Sequence, residues 1–313
     1  MSNVFSSPEF LSAAGGTIFG GRRAETVIVS VEGWRFRLLS VQGRLEPTPP
    51  YFDFLEPLDS TPGDGRRADY LPRVSLESVP VPQGKTSTSV VDASPWISWA
   101  RFSGWEAFLG YVEERGGKAF SAERKRRRLA RECGPLRFEA DARDKRLLRL
   151  CLAWKSRQYR RTGLVDPLAS KRTVAFFHRL FDEGLLVVSA LSAGSVPVAV
   201  HLGCRWDARF YYWVPAYRES AAAHSPGALL LEALLEESYR RGDREFDFLI
   251  GDEAYKLRYA TDMRLVRELG RPPLPTRMWR PVRRIIMARV RRFERPYRTL
   301  QDLKRTLRQW RIR

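Results

Sequence analysis

The chain has 313 residues, 43% hydrophobic and 29% charged, with 55 Lys+Arg against 36 Asp+Glu and a formal charge of +19. This apolar fraction suits packed cores and excludes a disordered or collagen-like chain, and the length suggests two domains. Cys133, Cys151 and Cys204 lie far apart in sequence, which excludes a disulfide framework and a Cys-rich zinc site and points to a reducing compartment.

The first residues, up to Arg23, lack a basic segment followed by an unbroken apolar run, so no secretory signal is read and a cytoplasmic protein is expected. Thr26 to Val31 and Trp34 to Val41 read as strands, followed by a Pro/Gly-rich loop from Glu46 to Gly65. Ser94 to Trp99 reads as a turn leading into an amphipathic helix bearing Trp105, Phe108, Leu109 and Val112. Its aromatics suit core packing better than a stacking platform.

Charge then concentrates. Residues 115 to 161 hold 17 Lys+Arg against 5 Asp+Glu, and residues 271 to 313 hold 15 against 2. The run Arg124 to Arg128 has helical surroundings, with Leu129, Leu136, Leu147, Leu148, Leu150 and Leu152 as inward positions. Such a field attracts nucleic acid, anionic membranes or phosphorylated metabolites, and equally describes a solvated helix face. From Pro281 the apolar positions Val282, Ile285, Ile286, Val290 and Phe293, and later Leu300, Leu303, Leu307 and Trp310, fall at helical spacing among arginines. This basic amphipathic pair suits either an anionic membrane surface or the protein's own body.

Leu185 to Cys204 carries no Asp, Glu, Lys or Arg and approaches the length of a spanning helix. Ser192 to Pro197 in its centre instead predicts two strands joined by a tight turn. Leu185 to Leu191, Val196 to Arg205 and Phe210 to Pro215 thus form an antiparallel meander, followed by a helix from Ser225 to Gly242, a strand over Arg244 to Ile250, and a short helix that Asp252 caps. Ser225 suits an N-cap and Pro226 a first helical position, and Gly227 leaves space for a phosphate to approach free main-chain N–H groups. An ordinary capped helix fits the same residues.

The meander, Tyr217 to Ser220, His224 to Leu230 and above all Phe246 to Lys256 resemble the cellulose-biosynthesis (CelD/BcsL) acetyltransferase family of the GNAT superfamily; Ser7 to Phe10, Trp154 to Tyr159 and Thr162-Gly163 share the likeness, which covers about residues 5 to 262. The resemblance implies an α/β (α+β) fold of two tandem GNAT-like domains in a FemAB-like arrangement, with mixed, mostly antiparallel sheets flanked by helices. A degenerate half at 1–114, a basic helical connector at 115–161, a donor domain at 162–270 and a basic tail at 271–313 are expected. It further implies acetyl-CoA or another acyl-CoA as co-substrate, without a metal, and Val214, Ala216, Ser225, Gly227 and Ala228 as donor-binding residues. A donor loop of this kind is usually richer in glycine.

His201 lies between small neighbours on its strand and is a candidate base or a structural histidine. Asp247 needs donors or a cation on a central strand. Asp252 and Glu253 follow the strand end, Lys256 suits an anion, and the resemblance gives Tyr255 or Tyr259 the role of protonating a departing thiolate. The catalytic candidates are accordingly Asp252, Tyr255, Lys256 and His201, serving transfer to an amine or hydroxyl of a small molecule or glycan precursor. Competing expectations are aminoacyl transfer from charged tRNA and a non-catalytic adaptor that binds nucleic acid or lies peripherally on an anionic inner-membrane face through 281–313.

Overall fold

The computed structural model describes residues 3–20, 22–47, 49, 51–58, 66–80, 92–116, 119–251 and 253–274. Residues 1–269 form one unit and 270–313 a second; the amphipathic tail at 281–313 lies outside the described residues.

Ser7 starts the first helix, its hydroxyl accepting the Phe10 N–H at 3.2 Å with Pro8 at the first helical position, and α1 runs over Pro8–Thr17. The two strands read from alternation are β1 (Ala24–Val31) and β2 (Trp34–Val41), a hairpin that β3 (Arg44–Glu46) and β4 (Arg66–Arg67) extend to a four-stranded sheet in the order β3-β2-β1-β4. There follow β5 (Tyr70–Pro80), β6 (Asp92–Ser98), α2 (Trp105–Glu114), α3 (Ala119–Cys133), β7 (Leu136–Glu139), α4 (Lys145–Arg161) and α5 (Lys171–Asp182). The meander is β8 (Leu186–Ala193), β9 (Val196–Trp206) and β10 (Arg209–Tyr217), trailed by α6 (Pro226–Arg241), β11 (Glu245–Asp247), α7 (Ala254–Tyr259) and β12 (Asp262–Gly270). Asp207 and Ala208, at φ 51° and 54°, make the two-residue β9–β10 turn whose handedness matches strand twist.

The larger sheet has eight strands in the order β5-β12-β6-β11-β10-β9-β8-β7. Both faces are covered. One buries Phe10, Phe176, Phe177, Leu148, Val200 and Leu202 beneath α1, α4 and α5; the other buries Trp99, Phe108, Leu230, Leu234, Phe210 and Phe246 beneath α2 and α6. Strands from both sides of the expected boundary at 114 share this sheet, since β6 pairs with β11 and β12.

Three local expectations change. Ser94 to Ser98 lies in strand β6 rather than a turn, because the Pro95 carbonyl still takes a ladder bond, from the Phe248 N–H at 3.0 Å. Leu136 belongs to β7, which pairs with β8; Gly134, at φ 101°, ends the helical run before it. Only Glu245–Asp247 of the Arg244 to Ile250 run is strand.

Candidate active site

The sheet splits beside β10. β10 and β11 are parallel and paired through Arg209↔Glu245, Phe210↔Phe246 and Tyr211↔Asp247, after which the ladder ends while β10 continues to Tyr217. The chain after Asp247 stays with β6, Gly251 N–H donating to the Ala93 carbonyl at 3.1 Å. Asp247 turns it. Its Oδ1 accepts the Leu249 N–H at 2.8 Å and the Ser94 hydroxyl at 2.9 Å, and its Oδ2 accepts Arg264 Nη1 at 2.9 Å. Leu249 is thereby held at φ 60°, a left-handed conformation that costs about 1–2 kcal/mol for a side-chain-bearing residue. Burial raises the Asp247 pKa against the pull of Arg264 and Arg209.

A bulge shapes the other wall. The β9–β10 register shifts between Tyr212 and Val214, so the extra residue, Trp213, reverses the alternation. Tyr211 and Trp213 pack into the α1/α5 core, and so do Val214 and Ala216. These two expected donor-binding residues therefore turn buried side chains to one face, just past the split.

Ionisable groups gather beside the split around a single residue, Ile250. The Ile250 N–H donates to Asp53 Oδ2 at 3.1 Å, while Lys256 Nζ donates to the Ile250 carbonyl and pairs with Glu253 Oε2, each at 3.0 Å. A side chain on Gly251, at φ 144°, would run into the Glu253 carboxylate and reach 2.7 Å from Lys256 Nζ. Burial pushes the Asp53 carboxyl up to about 6, opposed by the Ile250 N–H, Lys256 and Arg73. Burial also lowers the Lys155 pKa; Lys155 Nζ stands 5.3 Å from the Tyr159 ring centroid. Burial and then Glu253 raise the half-buried Tyr255, so its hydroxyl keeps its proton across neutral pH.

Lys256 thus joins Asp53 and Glu253 around Ile250 beside the split, and Tyr255 packs against the α2/α6 core, whereas Asp252 lies outside the described residues. His201 does not join them. The space expected beside it is filled: the ring is fully buried, stacks on Tyr212 at 4.5 Å between centroids, and accepts the Trp213 N–H through Nε2 at 3.0 Å. Burial lowers its pKa to about 3. The imidazole therefore stays neutral and satisfies the bulge rather than facing a substrate.

The helix start also departs from expectation. Ser225 sits at φ 53°, ψ 48° and its side chain caps nothing. Its own N–H donates to the Ala222 carbonyl, and the Ala228 and Leu229 N–H groups return to the Ser225 carbonyl at 3.0 and 3.3 Å. Pro226 has no N–H. The Gly227 N–H is left without a main-chain acceptor among the described residues. Gly227 also keeps the approach narrow, since a Cβ there would touch the Tyr217 ring at 3.5 Å.

Asp53 and Lys155 received no role from the sequence. Lys155 appeared only within the Trp154 to Tyr159 resemblance, and Asp53 sat in a stretch read as loop. The Tyr-Phe-Asp-Phe order at 51–54, an acid among aromatics, was the available signal. Among the described residues no group of three or more His, Cys, Asp or Glu side chains is arranged to hold a metal, and no helix is long and apolar enough to cross a membrane.

Residues 118–257 match the family model described as acetyltransferase (GNAT) domain, so the chain carries a GNAT superfamily domain. No curated protein matches the sequence. Among solved structures the chain is similar to FemX, at 9% identity and TM-score 0.52 over 85% of this chain and 91% of that one. L-PGS from Bacillus licheniformis matches at 11% identity and TM-score 0.47 over 91% and 96%. A tandem GNAT protein from the clavulanic acid biosynthesis pathway matches at 10% and 0.40 over 85% and 88%. The fold is α/β and GNAT-like, with sheets flanked by helices, as the resemblance implied.

Proposed function

We propose that this protein is an acyltransferase that moves an acyl group, acetyl in the first instance, from acyl-CoA to an amine or hydroxyl. The observation that carries the reading is the split between β10 and β11 with Asp53 and Lys256 beside it on Ile250. The open side of β10 past Tyr211 receives the extended arm of the donor as an added strand would be received. Asp53 takes the proton of the acceptor as its nitrogen or oxygen forms the new bond to the acyl carbon; the carbon–sulfur bond breaks and Tyr255 supplies a proton to the departing thiolate. Lys256, fixed through the Ile250 carbonyl and Glu253, holds this side of the split in shape. Positioning of the acceptor against the donor provides much of the acceleration.

A glycan precursor is the acceptor class that the likeness to the CelD/BcsL family favours. Calorimetry with acetyl-CoA tests the donor: micromolar binding is expected. Absence of binding to any acyl-CoA, together with salt-sensitive binding of charged tRNA, would replace this reading with aminoacyl transfer.

A further inference from the structure

Along α4, Trp154, Arg157, Gln158 and Arg161 fall on one face at i, i+3, i+4 and i+7. With Tyr217 and Glu219 they line a small, shallow pocket, half open to solvent, where β10 ends. Its floor is fixed, because the Arg218 guanidinium lies 5.9 Å from the Trp154 ring centroid while its Nε donates to the Pro197 carbonyl at 3.2 Å. Tyr217, which lines the pocket, also stands beside the α6 start, its ring 3.5 Å from where a Cβ on Gly227 would lie.

Two facts make this pocket informative. The α6 start has few main-chain donors to offer an anion, since Pro226 has none and the Ala228 and Leu229 N–H groups are engaged. Beside it stand two arginines, and one carboxylate already occupies one of them: Glu219 is ion-paired with Arg161, their side chains 56% and 47% exposed. An exposed pair of this kind contributes little to stability. It is therefore easily exchanged for a ligand anion, and a guanidinium engages phosphate oxygens two at a time.

We propose that this pocket is a diphosphate site in which Arg157 and Arg161 grip the diphosphate of the activated donor, with Glu219 standing in for it in the free protein. The arginines replace a glycine-rich amide cradle as the source of positive charge. The site rests on the donor reading above only for the identity of the carrier. A diphosphate belongs equally to coenzyme A and to a nucleotide-activated sugar, and the pocket chemistry is the same for both.

Calorimetric titration of the full chain with acetyl-CoA, acetyl-pantetheine and inorganic pyrophosphate separates these points. Relative to wild type, the Arg157→Ala/Arg161→Ala double variant is expected to bind acetyl-CoA and pyrophosphate at least tenfold more weakly while acetyl-pantetheine is unaffected. Glu219→Gln is expected to bind both diphosphates several-fold more tightly, a gain that no folding defect mimics. If the double variant binds them as wild type does, or if wild type binds neither, the proposal is overturned. If wild type binds pyrophosphate through the arginines but not acetyl-CoA, the pocket stands and the acyl-CoA reading falls.

Discussion

At the scale of single residues, burial divides the ionisable groups near β10 into two kinds. His201 has lost its charge to burial, which lowers its pKa to about 3, whereas an exposed histidine titrates near 6.5. The unfolded chain therefore binds a proton below pH 6.5 that the folded chain refuses, so stability falls as pH drops from 6.5 toward 3. The loss reaches on the order of 3 kcal/mol by pH 4, and His201→Gln is expected to remove that limb in urea melts followed across pH. Asp53 moves the opposite way. With its pKa raised to about 6, it becomes a competent base only above that value. The acyl-transfer rate is expected to rise through pH 6, and Asp53→Asn to lower kcat/KM by at least tenfold and abolish that rise. The strand position of His201 was readable from alternation, but its role was not, because the hydrogen bond from Trp213 depends on a bulge in the neighbouring strand.

At the scale of elements, local chemistry and local conformation part company at two helix starts. Asp144 begins α4 in extended conformation, its Oδ1 accepting the Arg146 N–H at 2.7 Å. Ser225 is left-handed and caps nothing. Asp144→Ala is accordingly expected to cost about 1 kcal/mol in urea denaturation, and Ser225→Ala under about 0.5 kcal/mol. The β8–β10 meander was legible because alternation and tight turns act within a few residues. The end of β11 was not, since only three residues of the expected strand pair and Asp247, through contacts to Ser94 and Arg264, decides where it stops. Three-dimensional partners far along the chain set that boundary.

At the scale of the whole unit, a buried ion network ties the first sixty residues to the large sheet. Arg209 pairs with Glu56 at 2.9 Å and Glu245 at 2.8 Å, and Arg264 pairs with Glu56 at 2.9 Å, with Asp247, and with Glu245. Arg209→Met would leave these carboxylates short of a cation in a buried setting. A loss of about 3–5 kcal/mol is expected, measurable as a large drop in the denaturation midpoint. Composition located the basic segments but could not reveal that β6 and β12 share one sheet, because that pairing spans most of the chain. The early departure of β11 has a last consequence for experiment. A molecule lying in that gap is held by peptide groups, so side-chain scanning along Tyr212 to Tyr217 is a poor detector of it. Deuterium uptake is the sensitive readout: among residues 212–217, the amides other than that of Trp213, already held by His201, should slow their exchange when the gap fills, Pro215 having none, while those over 209–211, in the stretch laddered to β11, should change little.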